Sequence, residues 1–174
     1  MKRKSARIVV DASVMKAAGE TEHPVSSSCR SILLAIQDIC HRVVISPSIR
    51  KEWKTHYSSF SRRWHASMVG KKKVVPIEDT PFLNPPETGL SGSEVRALAK
   101  DACYLTAAST ADKVLVLLDK GIQDLCGKHR EILALPELTW INPSVIDPAA
   151  AEEMLKALLR PSRKSKSLPR RQEP

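Results

Sequence analysis

The order of apolar and polar positions along the chain predicts strands alternating with helices. Ile8-Val9-Val10 is an unbroken β-branched run, as expected of a strand buried on both faces. Val43-Val44-Ile45 and Val114-Leu115-Val116-Leu117-Leu118 have the same grammar. Val74-Val75 predicts a minor strand and Leu138-Thr139-Trp140-Ile141 a last one. Between the strands the apolar period lengthens. Cys29, Ile32, Leu33, Ile36, Ile39 and Cys40 recur at helical spacing, and Ser26 to Ser28 offer N-caps. Ser46-Pro47 opens a second helix, since proline suits the first helical position. Ile49, Trp53, His56, Phe60 and Trp64 mark its apolar face. Ser91 and Glu94 form a capping box ahead of the stripe Val95, Leu98, Ala102 and Leu105. A short helical turn is expected from about Gln123. Lys16 to Pro24 and the Pro- and Gly-rich stretch 79–92 read as loops.

This alternation predicts an α/β fold around a parallel sheet. The expected division is one domain over 1–147, a C-terminal helix over 148–159 around Met154, Leu155, Leu158 and Leu159, and a basic tail over 160–174.

Two of the strands end in an aspartate, Asp11 and Asp119. A carboxylate beside a hydrophobic core is costly unless something pairs with it. Two further acids stand on or beside the apolar sides of helices. Glu52 lies between Ile49 and His56, and Asp101 between Leu98 and Leu105. Each has an ordinary explanation. Asp11 and Asp119 could cap turns, Glu52 could pair with Arg50 or His56, and Asp101 could face water. Together they point to the carboxyl edge of one parallel sheet, where open α/β sheets place their ligands. Two unit charges 4 Å apart repel by about 4 kcal/mol at an effective dielectric near 20. Clustered carboxylates therefore call for protonation or a cation, and oxygen donors suit Mg²⁺ or Mn²⁺. Such an ion activates water and stabilises a leaving oxygen, so the chemistry implied is phosphodiester hydrolysis. Asp112 precedes its strand and belongs at the other edge.

Charge adds a partner. The formal net charge is +9, and more than half of it sits in 160–174, where six basic residues face one acid, Glu173. Lys2, Arg3 and Lys4 extend the other end. Basic arms favour polyanions, and nucleic acid is the obvious one. Arg62, Arg63, Lys71, Lys72 and Lys73 are candidates for steering RNA, or else form a solvated charged face. Cys29, Cys40, Cys103 and Cys126 never form CxxC, which argues against zinc or a disulfide framework and for free buried thiols in the cytoplasm. No stretch approaches the roughly 20 apolar residues needed to span a bilayer. The N-terminus has no signal-peptide core.

The ordered set Val10-Asp11-Ala12-Ser13-Val14, Ser46-Pro47-Ser48-Ile49-Arg50-Lys51-Glu52, Lys100-Asp101-Ala102 and Val114 to Gly121 resembles the PIN-domain family over roughly residues 7–145. The resemblance implies a three-layer α/β/α sandwich around a parallel sheet. It implies a metal-dependent ribonuclease with Asp11, Glu52, Asp101 and Asp119 as the catalytic, Mg²⁺- or Mn²⁺-binding acids and Ser13 in support of the first aspartate. Many members are toxins of toxin–antitoxin pairs, so an antitoxin and a second copy of the chain are partners the resemblance suggests beside RNA. Leu117 stands where the family often has Thr or Ser, which favours the rival reading of a non-catalytic RNA- or protein-binding module.

Overall fold

The computed structural model describes residues 3–80 and 89–161. Part of the expected 79–92 loop and the tail beyond Pro161 lie outside the described residues. Among the described residues five strands form one sheet: β1 Arg7–Val10, β2 Arg42–Ile45, β3 Val74–Pro76, β4 Val114–Val116 and β5 Thr139–Ile141. Their order is β3-β2-β1-β4-β5 and every pairing is parallel. The β-branched runs form the central strands because both faces are covered. Ile8, Val9, Val10, Val43, Val44, Val114 and Val116 are fully buried, each contributing roughly 1.5–3 kcal/mol relative to an exposed side chain.

Among the described residues seven helices flank the sheet: α1 Ala12–Ala17, α2 Pro24–Asp38, α3 Pro47–His56, α4 Ser59–Gly70, α5 Gly92–Thr110, α6 Lys120–Lys128 and α7 Pro148–Ala157. Parallel crossovers are right-handed. The chain steps outward from β1 to β3, then crosses back past β1 to β4, so the helices divide between two faces. α2 packs with α4 and α7, while α5 packs on β1 and β4 and beside α6. The fold is a three-layer α/β/α sandwich. The reversal of direction falls between β1 and β4, and this is where such sheets open a crevice at their carboxyl ends.

Several local expectations need correction. α1 begins at Ala12, directly after Asp11, and takes in Lys16 and Ala17, which had read as loop. α2 starts at Pro24, not at the serines, and Ser26 is buried with its hydroxyl donating to Gly19 O at 3.1 Å. The single helix expected through Trp64 is two. Ser58 caps α4, exchanging hydrogen bonds with Ser61 as a capping box. The apolar stripe runs across the break because both helices bury the same side. Cys40 is exposed at φ 71°, in the left-handed turn that ends α2, so it does not belong to the stripe. Only Cys29 and Cys126 of the four free thiols are buried. α6 starts at Lys120 rather than Gln123, because the Asp119 carboxylate caps it. A two-residue antiparallel ribbon joins Arg3–Lys4 to Arg160–Pro161.

Candidate functional site

Asp11 is held by three long-range contacts. Its N–H donates to Val116 O at 2.9 Å, tying the end of β1 to the end of β4. The buried Trp53 indole donates to Val10 O at 2.9 Å. On the other side the Tyr104 hydroxyl accepts from Ala12 N at 3.1 Å. Two aromatic side chains, from α3 and α5, thus grip the peptides before and after the aspartate. The Asp11 carboxylate caps α1 by accepting from Ser13 N at 2.5 Å. The Ser13 hydroxyl favours the ionised form. Its oxygen is nevertheless buried without a well-aligned hydrogen bond among the described residues.

Asp119 sits past the end of β4. Its Oδ1 accepts from Gly121 N at 2.8 Å and Ile122 N at 3.3 Å. The Asn142 amide donates to Leu118 O at 3.0 Å and holds the turn that delivers it. Leu117 is 2% exposed and belongs to the core, so its side chain does not contribute to the cleft. β4 ends at Val116, two residues short of the expected strand.

These acids meet in a cavity of about 340 Å³ lined by Asp11, Ser13, Lys16, Glu52, His56, Lys100, Asp101, Tyr104 and Asp119. The structure therefore brings all four sequence-predicted acids to one cleft at the switch point. They are not equally placed. Asp11 and Asp101 are half-buried, while Glu52 and Asp119 are exposed. Glu52, expected on or beside the apolar side of its helix, stands exposed on the rim, 3.7 Å from His56 Nε2. Asp112 lies at the opposite edge, accepting from Arg7 N at 2.7 Å.

Burial pushes the Asp11 carboxyl above its ordinary value. The Ser13 hydroxyl and N–H, and the charge of Lys100, work against this rise, while Asp119 adds to it. Asp101 is pushed to about 6, first by burial, then by the charge of Asp11, with Lys100 opposing and Asp119 adding. Asp101 accepts no hydrogen bond from the described residues.

Among the described residues no three His, Cys, Asp or Glu side chains form a ready-made metal cage. Mg²⁺ does not require one, because it keeps several waters and takes one or two carboxylates directly. An all-oxygen donor set, the Asp101 carboxyl without a hydrogen bond and the buried Ser13 hydroxyl fit a hydrated Mg²⁺ or Mn²⁺. Asp11, Asp101 and Asp119 would hold it, with Glu52 acting through water.

The basic residues divide between the cleft and other parts of the surface. Lys16 and Lys100 are the lysines that line the cleft. Lys100 also lines the adjoining cavity of about 350 Å³ between α5 and α6, with Ser93, Glu94, Asp101, Asp119 and Leu125. Arg63 pairs with Glu20, and the Arg62 guanidinium lies 5.9 Å from the Tyr57 ring centre. Neither lines the cleft. Lys71, Lys72 and Lys73 precede β3, at the amino edge of the sheet and away from the acids. Sequence reasoning missed Lys100, Trp53 and Tyr104 as site residues. Lys100 stood beside a singled-out aspartate, Trp53 gave no signal beyond its place in an apolar stripe, and Tyr104 lay outside the stripe read for its helix.

No family model, curated protein or solved structure matches this chain.

Proposed function

We propose that the chain is a Mg²⁺- or Mn²⁺-dependent endoribonuclease that hydrolyses RNA phosphodiester bonds. One observation carries the reading. Four carboxylates from four separate segments line one cleft at the switch point of a parallel sheet, and Asp101 is pushed to about 6 there. Such repulsion is retained where a cation or a developing positive charge repays it. A bound divalent ion supplies Lewis-acid polarisation of the phosphate and a water acidic enough to attack at neutral pH. The protein's own part is placement. Trp53 and Tyr104 fix Asp11, the α6 N–H groups orient Asp119 so that Oδ2 remains open, and Lys16 and Lys100 offer cations to phosphate oxygens. The toxin of a toxin–antitoxin pair is the biological role the PIN-like resemblance suggests, with an antitoxin and a homodimer as its corollaries.

The test is cleavage of a labelled single-stranded RNA with Mg²⁺ or Mn²⁺, with chelator, and with Asp11→Asn or Asp119→Asn. Cleavage should need the metal and disappear in both variants. Activity that survives chelator and substitution alike would sink the metal mechanism. Binding of RNA without turnover under every metal condition would favour the non-catalytic module instead.

A further inference from the structure

The end of the sheet opposite the acids carries the reverse charge. Arg7 pairs with Arg42 across β1 and β2. Val43 pairs with Val74 and Ile8 with Val114, so Lys73 and Lys113, one residue earlier, continue the same row. The order Lys73, Arg42, Arg7, Lys113 thus crosses four adjacent strands. At about 4.8 Å between strands the row is roughly 14 Å long. Lys71 and Lys72 flank it at the turn from α4 into β3. Lys72 and Lys113 both occupy left-handed turn positions, at φ 55° and 63°.

Like charges directly across a strand pair repel, and this row is only partly compensated. Asp112 holds Arg7, with Nη2 3.2 Å from its carboxylate, and Lys73 Nζ donates to Gln37 O at 2.5 Å. Arg42, Lys71, Lys72 and Lys113 are exposed and form no ion pair among the described residues. Asp38 ends α2, and Glu137 precedes β5 and pairs with Arg130; Glu152 and Glu153 stand on α7, whose Leu155 O meets His41 beside Arg42, and both pair with Lys156. The backbone ribbon of Arg3–Lys4 with Arg160–Pro161 lies just ahead of β1 in the chain. The described chain leaves from there into the sequence that carries Arg163, Lys164, Lys166, Arg170 and Arg171.

We infer that the amino edge of the sheet is a second polyanion-binding face, which holds the phosphate backbone of RNA apart from the carboxylate cleft. A line of cations at near-regular intervals fits a line of phosphates. The row contains no aromatic residue, so it has no platform for stacking a base, and its binding is indifferent to sequence. From Arg7 to Asp11 is four residues of strand, about 13 Å. The phosphates held at this edge are therefore not those in the cleft, and a long RNA engages both by passing around the molecule. The choice of RNA as the polyanion rests on the ribonuclease reading, whereas the charge row does not.

The experiment uses the full chain, EDTA to suppress cleavage, and a fluorescent single-stranded RNA 20-mer whose affinity is measured against salt concentration. Arg42→Gln, Lys71→Gln and Lys72→Asn are combined, asparagine being chosen because it tolerates the left-handed turn. Losing three phosphate contacts should reduce the slope of log affinity against log salt by about 2. A second RNA of unrelated sequence should show the same loss. Arg42→Gln alone should give about a third of it, which keeps the test valid if the triple variant folds poorly. Unchanged affinity and slope in the triple variant would overturn the proposal. So would loss of binding to phosphatidylserine vesicles with RNA binding intact, which would make the edge a membrane contact. A chain that binds RNA through this edge but never cleaves it would sink the ribonuclease reading alone.

Discussion

Asp101→Asn separates a site acid from a structural one. In the folded chain the Asp101 carboxyl titrates near 6 instead of its ordinary 3.8, because it is half-buried and faces Asp11 and Asp119. At about 1.4 kcal/mol per pKa unit, keeping it ionised at pH 7 costs the fold about 3 kcal/mol. Solvent still reaches this side chain, so screening reduces the figure to about 1–2 kcal/mol. The sign follows from linkage. An acid whose folded value is raised binds more protons folded than unfolded, so stability falls as pH rises from about 4 through 6. Above 6 the whole penalty is in place, and below 4 it is absent. Asn lacks the charge and should escape it. Without metal at pH 7.5, Asp101→Asn should therefore melt about 2–8 °C above the parent, and the gain should vanish near pH 4. Mg²⁺ at about a hundred times its dissociation constant should stabilise the parent by about 2.7 kcal/mol if it binds only the folded chain, and the variant much less. Thermal melts of both proteins, at two pH values and with and without Mg²⁺, read all of this. A lower metal-free melting temperature for the variant, or equal stabilisation of both proteins by Mg²⁺, would refute the reasoning and make Asp101 a structural residue.

Two further outcomes follow from the same geometry. Tyr104→Phe removes the acceptor for Ala12 N and leaves a buried N–H unpaired, which should cost about 1–3 kcal/mol by denaturant unfolding. It should also reduce cleavage more than it weakens RNA binding, because it loosens the peptide beside Asp11; an equal loss of both would mean that Tyr104 only supports the core. His41 is fully buried, with Nδ1 accepting from Ala6 N at 3.0 Å and Nε2 donating to Leu155 O at 2.8 Å. It must therefore be neutral in the fold. Burial lowers its value below the ordinary 6.5, repulsion from Lys73 lowers it further, and the Leu155 carbonyl opposes the shift. Its contribution is full above about 6.5 and is lost as pH falls below that. In the Asp101→Asn background, which removes one opposing titration and leaves that of Asp11 common to both proteins, the melting temperature should drop more steeply between pH 7 and 5 than it does in Asp101→Asn combined with His41→Gln. A His41→Gln variant that drops just as steeply would show that another group is responsible.

The fold class and the identity of the acids were legible because they depend on local pattern. Unbroken apolar runs before Asp11 and Asp119 announce buried parallel strands, since a strand covered on both faces has no polar alternation to show. The capping box at Ser91 and Glu94 closes as its spacing requires, with Ser91 N donating to Glu94 at 2.7 Å. Local pattern failed where two elements share one apolar phase. The break at Tyr57–Ser58 is hidden because Trp53 and Trp64 bury the same side of successive helices, and the start of α6 is hidden because the sequence marks Asp119 as a turn cap or site residue without showing that a helix begins directly after it.

What surrounds each acid was decided by tertiary structure. The sheet order β3-β2-β1-β4-β5 sets β1 beside β4, and this brings Asp11 and Asp119 together from positions 108 residues apart. The same order sends Lys71 to Lys73 to the far edge and leaves Lys16 and Lys100 as the lysines of the cleft. Trp53 and Tyr104 become the supports of Asp11 only once α3 and α5 meet over the carboxyl end of β1. None of this has a local signature. Side-chain periodicity reports which face of an element is buried, but not which neighbour buries it, and that choice is made by the crossovers that order the strands.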